Sequence, residues 1–135
     1  ISNWFLRKCG GIPVNRGNND LEVVKTTLRL LKNDKKVVIF PEGTRNRTGT
    51  TDMLEFHDGV AMFAVKTQKP IIPLILYTKP KRGKKNYLYV GDPFELSEFY
   101  GTKDYAQATK AVFDRMVKVQ KACNEYVANR KVKKK

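Results

Sequence analysis

Three short apolar runs set the terms for any fold of this chain. "KVVIF" (36–40), "PIIPLILY" (70–77) and "NYLYV" (86–90) are rich in β-branched and aromatic residues and too short for ordinary buried helices. Around them the spacing turns helical. Leu21, Val24, Leu28 and Leu31 fall on one helical face, after "NND" (18–20), whose side chains suit an N-cap; this helix should stop near "NDKK". Phe56, Val60, Phe63 and Ala64 mark a second helix ending near Gln68 and Lys69. From Lys103 onward, Tyr105, Val112, Met116, Val119, Cys123 and Tyr126 mark a long C-terminal helix. A further short strand is expected within "CGGIPVNRG" (9–17), where Pro13 keeps it short or at an edge. Pro70 and Pro73 likewise imply that the strand in 70–77 begins late or lies at an edge. The order strand, helix, strand, helix, strand, strand, helix predicts an α/β fold with a mostly parallel sheet flanked by helices.

With 135 residues, 41% of them hydrophobic, the chain is one domain's worth and can bury a core. No apolar run approaches the ~18 residues of a membrane span, and no signal peptide is evident. "ISNWFL" at the start is too short to cross a bilayer, although Trp4 and Phe5 beside Arg7 and Lys8 suit a membrane interface. The net charge of +14 is unevenly spread: ten basic residues lie in "KPKRGKK" (79–85) and "RKVKKK" (130–135), leaving +4 for the remainder. Such clusters are either solvated surface or a draw for anionic membranes or nucleic acid. Residues 1–128 are expected to be the folded part, with 129–135 a disordered basic tail. Cys9 and Cys123 form no CxxC pair, and with a single histidine, His57, a metal site is not expected. A reducing, cytosol-facing compartment is the default for such cysteines.

The stretch "VVIFPEGTRNRTG" (37–49) runs from hydrocarbon straight into charge. Gly43 permits positive φ and close approach of backbone N–H groups to a ligand. Thr44 adds a hydroxyl, and Arg45 a planar fork suited to phosphate. Glu42 can hold an arginine in place or accept a hydrogen bond from a substrate hydroxyl. Arg16, after "GIPVN", supplies a second clamp. In a parallel sheet, the turns bearing Arg16 and Arg45 would converge on one crevice at the strands' carboxyl ends. These residues point to a phosphate-bearing ligand and reveal no reaction; a structural Glu–Arg network at a strand end fits them as well.

"FPEGTR" (Phe40–Arg45) resembles the third motif of the glycerolipid acyltransferase family, the 1-acylglycerol-3-phosphate acyltransferases, and departs from it at Asn46, where the family has serine. "GGIPVNRG" is similar to the second motif, with Arg16 at its arginine, and "KPIIPLIL" to the fourth, with Pro73 at its proline. "FHDGVAMFAVKTQKP" resembles the family's Phe-Lys-x-Gly helix, with His57 where the lysine usually lies. The resemblance runs over roughly residues 4 to 80. The first motif, Asn-His, four residues, then Asp, is absent: five residues beyond His57 stands Met62. The chain is therefore expected to be the C-terminal portion of a longer enzyme, holding motifs two to four and a partial acyltransferase fold.

The resemblance implies acyl transfer from acyl-CoA or acyl carrier protein to the free hydroxyl of 1-acylglycerol-3-phosphate, giving phosphatidate. It implies that Arg16, Glu42, Gly43, Thr44 and Arg45 hold the acceptor's phosphate, with Asn15, Phe40, Pro41, His57 and Pro73 as acceptor contacts or structural support. No catalytic residue and no cofactor are expected in this chain; the thioester donor is a co-substrate. The expected location is the cytoplasmic face of the cell membrane, peripheral or anchored through an N-terminal part. Two other readings stay open: a non-catalytic lipid-phosphate-binding module, and a transferase acting on glycerol 3-phosphate or another lysolipid. A nucleic-acid-binding domain rests on charge alone, and no nucleic-acid motif accompanies it.

Overall fold

The computed structural model describes residues 3–14, 21–47, 52–77, 82–83 and 85–132. Its elements are α1 (Asn3–Lys8), α2 (Leu21–Lys32), α3 (Gly59–Thr67), β1 (Leu74–Leu76), β2 (Leu88–Val90), a 3-10 turn at Ser97–Phe99 and α4 (Ala106–Val132). The chain divides into two compact units, Ile1–Val38 and Ile39–Lys135.

In the first unit, α2 carries Glu22 in its first turn and Arg29 and Lys32 in its last, an arrangement that complements the helix dipole. It ends where expected, at "NDKK". The Asn33 side chain donates to the Arg29 carbonyl at 2.8 Å, and Asp34 takes a left-handed φ of 56°. Lys35 N–H then reaches back to the Leu30 carbonyl at 3.0 Å, satisfying an end carbonyl of the helix. Of the α2 residues only Thr27 is buried. In α1, the Lys8 ammonium lies 5.9 Å from the centre of the Trp4 ring, and Trp4 and Phe5 are exposed.

The second unit is built around α4. Asp104 caps it by accepting the Ala106 N–H at 3.0 Å. Ala108 and Val112 of α4 meet Ala61, Ala64 and Val65 of α3, with Phe56 and Leu96 completing the core. Cys123 is buried near the far end of α4, and burial pushes its thiol pKa up; Cys9 is exposed. Burial, and then the neighbouring Glu95 and Glu98 carboxylates, raise the pKa of Tyr100, whose hydroxyl donates to Glu95 Oε2 at 3.3 Å. No helix among the described residues is long and apolar enough to cross a membrane.

The sheet differs from the one expected. The described chain is mostly helical, and its sheet is two-stranded and antiparallel, pairing Leu74 with Val90, Ile75 with Tyr89 and Leu76 with Leu88. A mostly parallel sheet flanked by helices is therefore overturned. Parallel pairing needs a crossover between the strands, whereas β1 and β2 are consecutive, with no helix between them among the described residues. The run 36–40 lies outside any strand among the described residues, and Val38 and Phe40 are open to solvent. Residues 11–14 also lie outside any strand, and 15–17 fall outside the described residues. The prolines delay β1 as anticipated: it begins at Leu74, and upstream only Ile71 makes an isolated bridge, to Phe94.

One sheet face, carrying buried Ile75 and half-buried Tyr89, turns to α4, where the Tyr89 and Tyr126 rings lie 6.1 Å apart. The other face, Leu74, Leu76, Leu88 and Val90, is exposed. Gly91 closes the sheet against α4. Its N–H donates to the Pro73 carbonyl at 2.9 Å, and a Cβ there would come within 2.8 Å of Val119 Cγ1 and 2.9 Å of Pro73 Cγ.

Candidate functional site

The turn after Phe40 is built by its own backbone. Gly43 N–H donates to the Phe40 carbonyl at 3.1 Å, and Gly43 takes φ 61°, a value at which any other L-residue would be strained. That N–H is thereby spent on closing the turn. Thr44 and Arg45, which follow Gly43, are exposed.

Three hydrogen bonds fasten this turn to the segment leading into α3. His57 N–H donates to the Pro41 carbonyl at 3.0 Å, Leu54 N–H to Glu42 Oε2 at 3.3 Å, and the Asn46 side-chain amide to the Asp52 carbonyl at 2.7 Å. Glu42 is thus a brace for the turn. Among the described residues no ion pair joins it to Arg45; the pairs there are Lys110–Asp114 and Arg115–Glu98.

The bracing segment is itself held by α4. Phe56 is buried, with its ring edge-on to Phe113 at 5.1 Å. The Asp58 carboxylate accepts the Thr109 hydroxyl at 2.6 Å. A continuous path of contacts therefore runs from α4 through 56–58 to the charged turn. The motif residues alone gave no sign of these anchors. Asp58 is readable as a helix N-cap, yet its side chain makes no cap bond and reaches across to α4.

Of the residues singled out from the sequence, the structure gathers Pro41, Glu42, Gly43, Thr44, Arg45 and His57 in one place. A Cβ on Gly43 would lie 2.6 Å from His57 Cδ2 and 2.9 Å from its Nε2, so the imidazole edge rests against the glycine. Phe40 precedes the turn and is exposed. Pro73 is fully buried beside Gly91, in a packing role. Asn15 and Arg16 fall outside the described residues. A shallow, open surface groove lies along α2, lined by Lys25, Leu28, Arg29, Lys32 and Asn33, and includes no residue of the charged turn. Among the described residues no group of three or more His, Cys, Asp or Glu side chains is arranged to hold a metal.

Residues 1–77 match the family model described as Acyltransferase. The chain is 32% identical over 101 residues to the 1-acyl-sn-glycerol-3-phosphate acyltransferase of Bacillus subtilis, covering 70% of this chain and 48% of that protein. It is 26% identical over 118 residues to the Streptococcus pneumoniae protein of the same name, covering 82% and 42%. Over 55 residues it is 46% identical to human 1-acyl-sn-glycerol-3-phosphate acyltransferase alpha, covering 41% of this chain and 18% of that protein. The crystal structure of the 1-acyl-sn-glycerophosphate (LPA) acyltransferase PlsC from Thermotoga maritima superposes with a TM-score of 0.63 at 24% identity, covering 93% of this chain and 51% of that one, a likeness of fold. The chain spans about half the length of the two bacterial relatives.

Proposed function

The chain belongs to the acyltransferase family, and from that premise we propose that it carries the acceptor-phosphate site of a 1-acylglycerol-3-phosphate acyltransferase. The observation that carries this reading is the braced turn. A phosphate dianion is held well by donors that need no rearrangement when it arrives, and Thr44 and Arg45 stand on a turn fixed at three points. In this reading Arg45 takes the phosphate through its planar fork, Thr44 adds a hydroxyl, Gly43 shapes the turn and Glu42 braces it. The family resemblance also implies a role for Arg16 and Asn15 in holding the acceptor, and both lie outside the described residues. The alternative of a structural Glu–Arg network loses ground, because the Glu42 carboxylate takes a backbone N–H and makes no ion pair with Arg45.

The reaction moves an acyl group from a thioester of coenzyme A or acyl carrier protein to the free hydroxyl of the acceptor. The hydroxyl oxygen attacks the thioester carbonyl, the new C–O bond forms, the C–S bond breaks, and the hydroxyl proton passes through a base to the departing thiolate. The products are phosphatidate and free thiol. A histidine oriented by an aspartate is the base, supplied by polypeptide outside these 135 residues. This chain's share is to fix the acceptor so that its hydroxyl meets the carbonyl. The work takes place at an anionic membrane surface, on the cytoplasmic side, with the basic stretch 79–85 among the groups that favour it.

The test is Arg45→Ala and Arg16→Ala in the full-length protein, assayed for transfer from acyl-CoA to lysophosphatidate. Loss of a hydrogen-bonded charge at a phosphate is worth roughly 1.5–3 kcal/mol, so kcat/KM for the acceptor should fall about 10- to 100-fold. Unchanged kinetics in both variants would overturn the assignment of the site. A full-length protein that binds lysophosphatidate and transfers nothing would leave the non-catalytic module as the surviving reading.

A further inference from the structure

Asp58 stands at the N-terminus of α3, where an aspartate ordinarily accepts a backbone N–H of its own helix. Here it makes no such bond. Its backbone is already helical, with φ −64° and ψ −9°, and its carboxylate accepts the Thr109 hydroxyl at 2.6 Å. Thr109 forgoes a local option as well. A threonine within a helix can return its hydroxyl to the carbonyl four residues back, yet this one donates to a residue 51 positions away. We infer that Asp58 and Thr109 are positioning residues for the acceptor-phosphate site, a clasp through which α4 holds the turn of Thr44 and Arg45 in its binding form. The inference rests on the phosphate-site reading and adds to it two residues that act on the site through others.

The geometry is a two-point grip. On α4, Thr109 and Phe113 lie one helical turn apart and share a face. They hold the segment before α3 at alternate residues: Thr109 at Asp58, and Phe113 at Phe56, whose rings meet edge-on at 5.1 Å. His57, between them, serves the turn, its N–H donating to the Pro41 carbonyl at 3.0 Å. From Thr109 to the turn the path is therefore one hydrogen bond, the backbone of Asp58 and His57, and a second hydrogen bond.

The two anchors differ in kind. Phe56 is buried, and its contact with Phe113 belongs to the core, whereas Asp58 is exposed and Thr109 half-buried. Packing against a ring sets how deep the segment sits. A hydrogen bond is directional and sets how the segment is rotated. A single bond open to water adds modestly to global stability, so the value of the clasp lies in local order. Without it, the His57 N–H leaves the Pro41 carbonyl in a fraction of molecules, and only the remainder present a turn ready for phosphate. Apparent affinity then falls in proportion to that competent fraction.

The experiment is steady-state kinetics of the full-length protein, varying lysophosphatidate and acyl-CoA in turn. The variants are Thr109→Val, Thr109→Ser, Asp58→Ala and the double Asp58→Ala with Thr109→Val. Thr109→Val keeps the β-branched shape and removes the hydroxyl, and Asp58→Ala removes the carboxylate, so the bond is broken from either side. In both, the KM for lysophosphatidate should rise about fivefold, the size of one hydrogen bond, with kcat and the KM for acyl-CoA held. Thr109→Ser, which keeps the donor, should restore the wild-type KM. The double variant should be no worse than either single, because both remove the same bond. A merely structural bond predicts a different pattern, in which the active fraction and hence kcat fall and both KM values stay. That pattern, or a lysophosphatidate KM unchanged in Thr109→Val and Asp58→Ala, would overturn the inference. Arg45→Ala in the same series separates the clasp from the site it serves. If Arg45→Ala loses acceptor binding while the clasp variants do not, the phosphate site stands and the clasp falls. If none of them changes the acceptor KM, both fall together.

Discussion

At Gly43 two independent demands meet on one residue. The turn needs φ 61°, and the His57 ring needs the volume of the missing Cβ. The two can be separated by substitution. Gly43→Ala should destabilise the full-length protein through both effects, the backbone alone costing about 1–2 kcal/mol. In a His57→Ala background the clash is gone and only the backbone share remains, so the double-mutant cycle should show a clear coupling between positions 43 and 57, read from urea midpoints. Strict additivity would mean that the imidazole does not rest where it is described. The turn itself was legible in the sequence, because glycine, threonine and arginine after an apolar run carry their chemistry locally. The contact with His57 was not, because nothing in a single sequence says which side chain fills the space beside a glycine. The same holds for Thr109 and Asp58, whose hydrogen bond joins residues far apart in the chain.

Among the elements, helices were read more reliably than strands, for a physical reason. A helix satisfies its backbone within itself, so the spacing of Leu21 to Leu31 or of Tyr105 to Tyr126 is enough to announce it. A strand needs a partner, and an apolar run does not say whether one is present, on which side, or in which direction. "KVVIF" has every residue a buried strand requires and makes no ladder among the described residues, while 74–76 and 88–90 find each other in antiparallel register. The connection after β2 hid a core residue: Leu96, fully buried, sits in a stretch that reads as a loop. Leu96→Ala should cost about 2–5 kcal/mol, the usual range for emptying a core leucine site. Leu74→Ala, on the exposed sheet face, should cost less than half as much. Chemical denaturation of the full-length protein distinguishes them, and equal costs would mean that the bare sheet face is covered in the longer protein.

Across the whole chain the dominant property is charge, and charge alone names no partner. A net charge of +14 with ten basic residues in two short stretches would attract a bilayer or a nucleic acid equally well at a distance. What separates them is the rest of the molecule. On the proposed function the acceptor is a lipid phosphate, to be met where it resides, and "KPKRGKK" lies in the sequence between the two strands whose outer face is apolar. A basic stretch between two strands with exposed leucines suits an anionic bilayer, where each basic residue near the surface is worth about 1 kcal/mol. Arg82→Gln with Lys85→Gln, both at exposed positions, should therefore weaken binding to vesicles containing phosphatidylglycerol by about 30-fold, the equivalent of roughly 2 kcal/mol. The wild-type affinity should collapse between 0.1 and 1 M salt as the screening length shrinks from about 10 to 3 Å. Vesicle sedimentation reads both effects, with duplex DNA as competitor. If the double substitution leaves vesicle binding intact, the loop is solvated surface and the bilayer is held elsewhere. If DNA displaces the vesicles at matched phosphate concentration, the charge serves as a general polyanion field, and membrane selectivity must come from the acceptor site itself.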